Sequence, residues 1–434
     1  MYTVGIYTLG CKVAQYESEA LAEEFERRGF LLRDFSEKCD AYVINTCTVT
    51  AESDRKSRQM IRRAVKKNPS AAVAVLGCYS ERSAEEILKI DGVSIVQGTD
   101  GKLGVVKRVL DKLEGNDVCG IFKCPLGEAF EEMEINRAPR SRAYIKIEDG
   151  CESRCSYCAI RLARGRVRSK SPADVIREAE SLSEKGVNEI VLTGIETGAY
   201  GKDFDTAYSL GELISELSRR GKVKRIRLGS LAPELVGRDF CEKVKDSKIL
   251  TPHFHISMQS GSDAVLRGMK RKYNTKMAYE NIERLRKVFP NAEFTTDMMV
   301  GFPGESDEDF KASLDFISRA GFLDVHVFAY SRREGTEAAK YDCQIEESVK
   351  SERSRIMIEH KNRVRDERLS RMVSAGCAIS VIAETLLDSG DYSSHADNFA
   401  EIIFKPKTNA DLRGKIIKVI PVSHKNGIIY AEEI

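Results

Sequence analysis

Long apolar runs are missing from this chain. None approaches the 18 or so residues that a membrane span requires, and the opening MYTVGIYTLGC has neither the basic segment nor the apolar run of a signal peptide. The expectation is a cytoplasmic protein with no membrane association. An excess of one charge is missing too: 69 basic and 67 acidic residues give a net charge of +2, so the overall balance names no partner. No low-complexity tract occurs, and 42% apolar against 31% charged residues excludes disorder and supplies several cores. At 434 residues, two or three domains follow from the usual ~100–200 residues per domain. In a reducing compartment, clustered cysteines are metal ligands or redox groups rather than disulfides.

The most informative scarcity is local. In GCESRCSYCAI, residues 150 to 160, Cys151, Cys155 and Cys158 stand in C-x3-C-x2-C spacing, and no further cysteine follows until Cys241. A site closed by four thiolates lacks its fourth ligand here. If the group is an iron–sulfur cubane, three thiolates leave one iron open to an outside ligand. A zinc ion completed by histidine or water is the alternative.

Alternating β-rich and helix-compatible runs organise the chain. YTVGIYTL, AYVINT, AAVAVLG and VSIVQG predict a small parallel α/β sheet, and Cys11, Cys47 and Cys78 each fall at or just past the end of one run. In an open parallel sheet those ends share the edge where ligands bind, so the three converge. After a looser segment, AYIKI, NEIVLTG, KRIRLGS, HFHISMQ, EFTTDMMVG and LDVHVFAY give six βα units of a part-closed barrel, with Cys151, Cys155 and Cys158 after its first strand. A charged helical stretch and four short β runs follow, the latter fitting a small β-barrel. The expected fold is therefore α/β with a terminal β-barrel. Its expected divisions are an N-terminal domain over 1–115, a linker over 116–140, a barrel domain over 141–345, a helical spacer over 346–374 and a β-barrel over 375–434.

Cys-x3-Cys-x-aromatic-Cys, with Tyr157 as the aromatic, resembles the signature of radical S-adenosylmethionine enzymes. The resemblance implies a 4Fe-4S cluster on Cys151, Cys155 and Cys158, whose open iron chelates S-adenosylmethionine and whose electron cleaves it to a 5′-deoxyadenosyl radical. TGIE, SMQSGS and GFPGE end the second, fourth and fifth strands. By the same resemblance, Tyr157, Thr193, Gly194, Glu196, Ser257, Gln259 and Gly301 are expected around S-adenosylmethionine. The second triad, Cys11, Cys47 and Cys78, ahead of such a domain and with a β-barrel behind it, is similar to the methylthiotransferases, whose first 4Fe-4S cluster carries the transferred sulfur. YTLGCKVAQYESE, INTCTVTAESDRKSRQMIRRA and LTGIETGAYGKD resemble the threonylcarbamoyladenosine tRNA branch more than the isopentenyladenosine or ribosomal-protein aspartate branches, which stay open as alternatives. The tail, with SSHADNFAEIIF, resembles the RNA-binding TRAM domain. One departure is plain: AIRLARG places Arg161 and Leu162 where relatives carry proline and an aromatic.

That resemblance implies tRNA carrying N6-threonylcarbamoyladenosine as substrate, an electron donor such as flavodoxin or ferredoxin, and a separate sulfur donor. The basic runs RKSRQMIRRAVKK (55–67), RLARGRVRSK (161–170) and RRGKVKRIR (219–227) fit a polyanion. The substrate's threonyl carboxylate needs a cation, for which Arg164, Arg166 and Arg332 are candidates. Cys119 and Cys124 read as ordinary thiols, and His253 and His255 share one strand face. The rival from another class is a non-catalytic zinc-containing RNA-binding protein built on the same cysteines.

Overall fold

The computed structural model describes residues 1–138 and 141–434; the last two residues of the expected linker, 139 and 140, lie outside the described residues. The N-terminal sheet has six strands, all parallel, in the order Leu31–Arg33, Thr3–Thr8, Ala41–Thr46, Ala72–Gly77, Val93–Gln97, Gly120–Phe122. Ala41–Thr46 and Ala72–Gly77 are buried throughout, as expected of central strands covered on both faces. Separate apolar clusters lie on the two faces, one around Tyr42, Ile44 and Val75, the other around Val43, Ala74 and Phe25. The outermost strand, Gly120–Phe122, falls inside the expected linker. Pairing to Val93–Gln97 gives its backbone partners, so this stretch is an edge strand and not free chain.

The middle of the chain forms two parallel sheets placed end to end. Ala143–Lys146, Ile190–Thr193 and Ile226–Leu228 make the first; Ser230–Leu231, His253–Gln259, Glu293–Val300 and Asp324–Ala329 make the second. The break falls at Gly229. A Cβ there would stand 2.6 Å from Thr197 Oγ1 and 3.2 Å from Thr193 Oγ1, so only glycine lets the backbone pass. Along His253–Gln259, Phe254, Ile256 and Met258 join a core with Ala278, Ile282 and Leu285 of the helix Thr275–Val288. Period-2 alternation then turns His253, His255, Ser257 and Gln259 to the other, inner face. This is the part-closed six-unit barrel expected from the sequence, with its third unit divided between the two sheets.

The helix Glu347–Ala375 is fixed by ion pairs to the central strands, Arg368 to Glu293 and Lys361 to Asp324. Beyond it five strands close a small barrel around Val381, Ile402, Phe404 and Val419. No helix among the described residues is long and apolar enough to cross a membrane.

Candidate active site

Cys11, Cys47 and Cys78 follow three strands that neighbour one another in the N-terminal sheet, each at the C-terminal edge. Cys11 caps the helix Lys12–Arg27, and Cys78 opens the short helix Cys78–Arg82 directly after its strand. Gly10 brings the backbone against Cys47: a Cβ on Gly10, where φ is +125°, would lie 3.2 Å from Cys47 Cβ. Burial pushes the Cys78 thiol up to about 11, opposed by Arg164, and burial also raises Cys47.

The second triad occupies one loop. Cys151 N–H donates to Gly165 O at 3.0 Å and Cys158 N–H to Cys155 O at 3.1 Å, which folds the loop over the barrel's first strand. Burial pushes Cys151 up to about 12 and raises Cys158. Arg271 donates to Cys155 Sγ at 3.0 Å and is held by Tyr273 OH and Ser257 O, with no carboxylate in its grip. Thiols raised in this way keep their protons unless a metal displaces them, and metal loading then releases protons.

Arg164 joins the two loops. Residues Ile160–Arg164 wind into a helical turn that carries this guanidinium, 0% exposed, to the first triad. Its Nε donates to Cys78 Sγ at 3.1 Å, and its Nη1 binds Glu17 Oε1 at 2.6 Å and Asp149 Oδ2 at 3.0 Å. Lys102 and Lys146 complete the buried network on Glu17. Burial alone would raise the Glu17 carboxyl, yet Arg164, Lys102 and Lys146 hold it well below the usual range. This corrects the expectation that Arg164 receives the substrate carboxylate: its charge is already matched by two carboxylates in a sealed space. The spacing of the sequence gave no sign of this. Arg166 is exposed with Nε on Gly127 O, and Arg332 is exposed on the loop after the last barrel strand.

Each triad offers three thiols and no fourth protein ligand among the residues named here, a donor set that fits an iron–sulfur cluster with one open iron.

Comparison with known proteins identifies the family. Residues 145–317 match the radical SAM superfamily and residues 3–98 the uncharacterized protein family UPF0004. A threonylcarbamoyladenosine tRNA methylthiotransferase, MtaB, of Bacillus subtilis (strain 168) is 39% identical over 96% of this chain and 93% of its own length. The chain belongs to the radical S-adenosylmethionine methylthiotransferase family. A tRNA-2-methylthio-N(6)-dimethylallyladenosine synthase of Thermoanaerobacter pseudethanolicus is 31% identical over 87% of this chain and 81% of its own length. Among solved structures, the radical S-adenosylmethionine methyltransferase TsrM of Kitasatospora setae superposes with a TM-score of 0.59 at 17% identity, covering 78% of this chain and 74% of its own, which shows the shared fold.

In this methylthiotransferase most residues expected around S-adenosylmethionine lie at strand ends, with Ser257 inside its strand and Tyr157 in the cysteine loop. Thr193 ends its strand, Gly194 packs on Glu148, and Glu196 accepts from Ala232 N–H at 2.9 Å. Burial pushes the Glu196 carboxyl up to about 7. Gln259 ends its strand with φ at +66°, and Gly301, at φ +69°, donates to Glu305 Oε2 at 2.7 Å. Ser257 presents its carbonyl to Arg271 and Tyr273, while Tyr157 packs beside Met299 and Phe302. Around these ends, Glu148 Oε1, Thr197 Oγ1, Gln259 Oε1, Glu305 Oε1 and Tyr330 OH are buried without a hydrogen-bond partner. Orphaned polar atoms so concentrated fit a polar ligand such as S-adenosylmethionine.

Sequence reasoning missed the polar ladder on the inner face. His253 and His255 both contact Thr295 Oγ1, at 3.0 and 2.9 Å, and Asp297 lies between His255 and His326 at 3.3 Å from each. It also overcounted free cations. Arg164, Arg168 and Lys170 of one run and Arg225 and Arg227 of another are buried in ion pairs. In the run 55–67, by contrast, every basic residue but half-buried Arg58 is exposed.

Proposed function

We propose that the protein replaces the C2 hydrogen of N6-threonylcarbamoyladenosine, beside the tRNA anticodon, with a methylthio group. The observation that carries this reading is 39% identity to a threonylcarbamoyladenosine tRNA methylthiotransferase over 96% of the chain. Two 4Fe-4S clusters and S-adenosylmethionine are its cofactors. In this reading Cys11, Cys47 and Cys78 hold one cluster and Cys151, Cys155 and Cys158 the other. Bound there, the clusters supply the electron for reductive cleavage of S-adenosylmethionine and the sulfur for transfer. Thr193, Gly194, Glu196, Gln259 and Gly301 orient S-adenosylmethionine through the polar atoms at the strand ends, and Tyr157 closes the apolar side. The barrel wall and the N-terminal domain exclude water, which preserves a carbon radical from side reactions. The exposed residues of 55–67 and the terminal barrel engage the tRNA backbone. A flavodoxin or ferredoxin supplies electrons in the cytoplasm, and a separate donor restores the sulfur.

Mass spectrometry of tRNA nucleosides from cells with and without the gene tests the reading. Deletion should remove 2-methylthio-N6-threonylcarbamoyladenosine and leave its unthiolated parent. Loss of the methylthiolated isopentenyl nucleoside instead, or no change in either, would overturn it.

A further inference from the structure

The barrel's inner face has cations at its far end that its own carboxylates do not balance. Arg142, Arg225 and Arg227 all converge on one carboxylate, Glu189. Arg142 also reaches Glu384, which carries His395 as well. Into this group comes Lys12, the residue after Cys11, from the first turn of the helix Lys12–Arg27. Its ammonium lies within electrostatic reach of Arg227, Arg142, Glu189 and His253. It makes no hydrogen bond or ion pair among the described residues. Against Lys12 and the three arginines stand Glu189 and Glu384, with Asp397 beside Arg225 and Arg227. Lys12 is the one cation of this group without a direct ion pair among the described residues. A half-buried ammonium without a direct partner is a ready site for an incoming anion.

We infer that Lys12 is the specificity-determining residue that receives the carboxylate of the threonylcarbamoyl arm. The inference rests on the reading of N6-threonylcarbamoyladenosine as substrate. Lys12 is next in sequence to a proposed ligand of the sulfur-bearing cluster, so the adenine carbon that receives sulfur and the arm on the neighbouring ring edge would meet consecutive residues of one helix turn. The surrounding guanidiniums are engaged by Glu189 and keep the field positive without competing for the ligand. An isopentenyl arm has no charge and would leave Lys12 unpaired, which discriminates against that substrate by the cost of a desolvated cation.

The test uses the reconstituted holoenzyme and three anticodon stem-loops, carrying N6-threonylcarbamoyladenosine, its methyl ester, or unmodified adenosine. Wild type should bind the acid roughly tenfold or more tighter than the ester, the size of effect that loss of a desolvated charge pair produces. Lys12→Met should erase that difference while its affinity for the unmodified stem-loop stays within about twofold of wild type, and Lys12→Arg should restore part of it. The visible absorbance of both clusters in Lys12→Met checks that Cys11 still ligates. Equal binding of acid and ester by wild type would overturn the inference whatever the variants do. So would a Lys12→Met protein that keeps its clusters and still prefers the acid. Wild type that makes no methylthiolated product from the acid stem-loop overturns the functional reading itself, and this inference with it.

Discussion

The two cysteine triads reach the same ligand count by opposite routes. Cys151, Cys155 and Cys158 sit within eight residues of one loop, whereas Cys11, Cys47 and Cys78 are drawn from three strands over 68 residues. Each has one arginine on one sulfur, Arg271 on Cys155 and Arg164 on Cys78. Arg271 is held by neutral oxygens and keeps its charge for its surroundings. Arg164 is matched by Glu17 and Asp149 from two different parts of the chain. A local loop can form its site with little help from the rest of the fold, while a dispersed triad depends on the packing between domains. The arginine of the dispersed site accordingly ties the domains together.

The largest effect expected is all-or-none and separates the triads by role. Ala at Cys151, Cys155 or Cys158 should abolish 5′-deoxyadenosine release, because two thiolates hold a cubane poorly and S-adenosylmethionine then lacks its iron. Cys47→Ala should keep that release and lose methylthiolated nucleoside. Both products are measured in parallel on the same anaerobic preparations, wild type containing about eight irons per chain. Methylthio product from Cys47→Ala would collapse the distinction between the triads.

Next comes stability. Arg164→Gln removes the guanidinium that bridges buried Glu17 and Asp149 and leaves them Lys102 and Lys146, so the cost falls near the lower end of the roughly 3–5 kcal/mol of a broken buried pair. Arg271→Gln breaks no ion pair to a carboxylate and should cost about 1.5–3 kcal/mol, the range for hydrogen bonds to a charged group. Denaturant midpoints of the two variants against wild type make the comparison. Equal shifts would mean that the carboxylates do not distinguish the sites.

Legibility in the sequence follows the same division. The second triad was visible from spacing alone, and the first from strand ends, because a parallel sheet fixes where those ends lie. What spacing could not reveal was pairing between distant segments. Arg164 looked like a free cation because Glu17 is 147 residues away, and Arg225 and Arg227 looked like part of an RNA-binding run because their partner Glu189 belongs to another strand's entry loop. Gly120–Phe122 looked like linker because three residues carry no period, and only an existing sheet edge makes them a strand. The family resemblance supplied the chemistry of S-adenosylmethionine, but the histidine and threonine ladder on the inner face needed the register of Thr295 beside His255.

Acid sharpens the contrast by a similar or smaller amount. Burial would raise Glu189, but Arg227, Arg142 and Arg225 outweigh it and hold its carboxyl at about 2. The unfolded value is higher, near 4.3, so this stabilisation is complete above that pH and is lost as pH falls through the folded value. The loss approaches about 3 kcal/mol. Protonated Glu189 leaves three guanidiniums facing one another where Arg227 donates to Ala396 O and Asp397 O of the terminal barrel. Hydrogen exchange at pH 2 against pH 6, corrected for intrinsic rates, should show that contact loosening while the neutral cradle of Arg271 stays protected.

The smallest effect concerns how the two sites face each other. Arg333, from the loop after the last strand of the central domain, donates to Thr48 Oγ1 at 2.8 Å and to Asp54 at 2.5 Å. Thr48 is the neighbour of Cys47, so this guanidinium ties the dispersed triad to the domain that holds the local one. Arg333→Ala removes no cysteine and breaks no bond to sulfur. Both clusters should therefore load, and 5′-deoxyadenosine should still be released. What suffers is registration: the reacting carbon and the sulfur must meet within a near-attack geometry, and small displacements are expensive. The ratio of methylthiolated nucleoside to 5′-deoxyadenosine should fall by roughly tenfold or less, with iron content unchanged. A ratio equal to wild type would show that the packing around Arg164 alone fixes the relative position of the two triads.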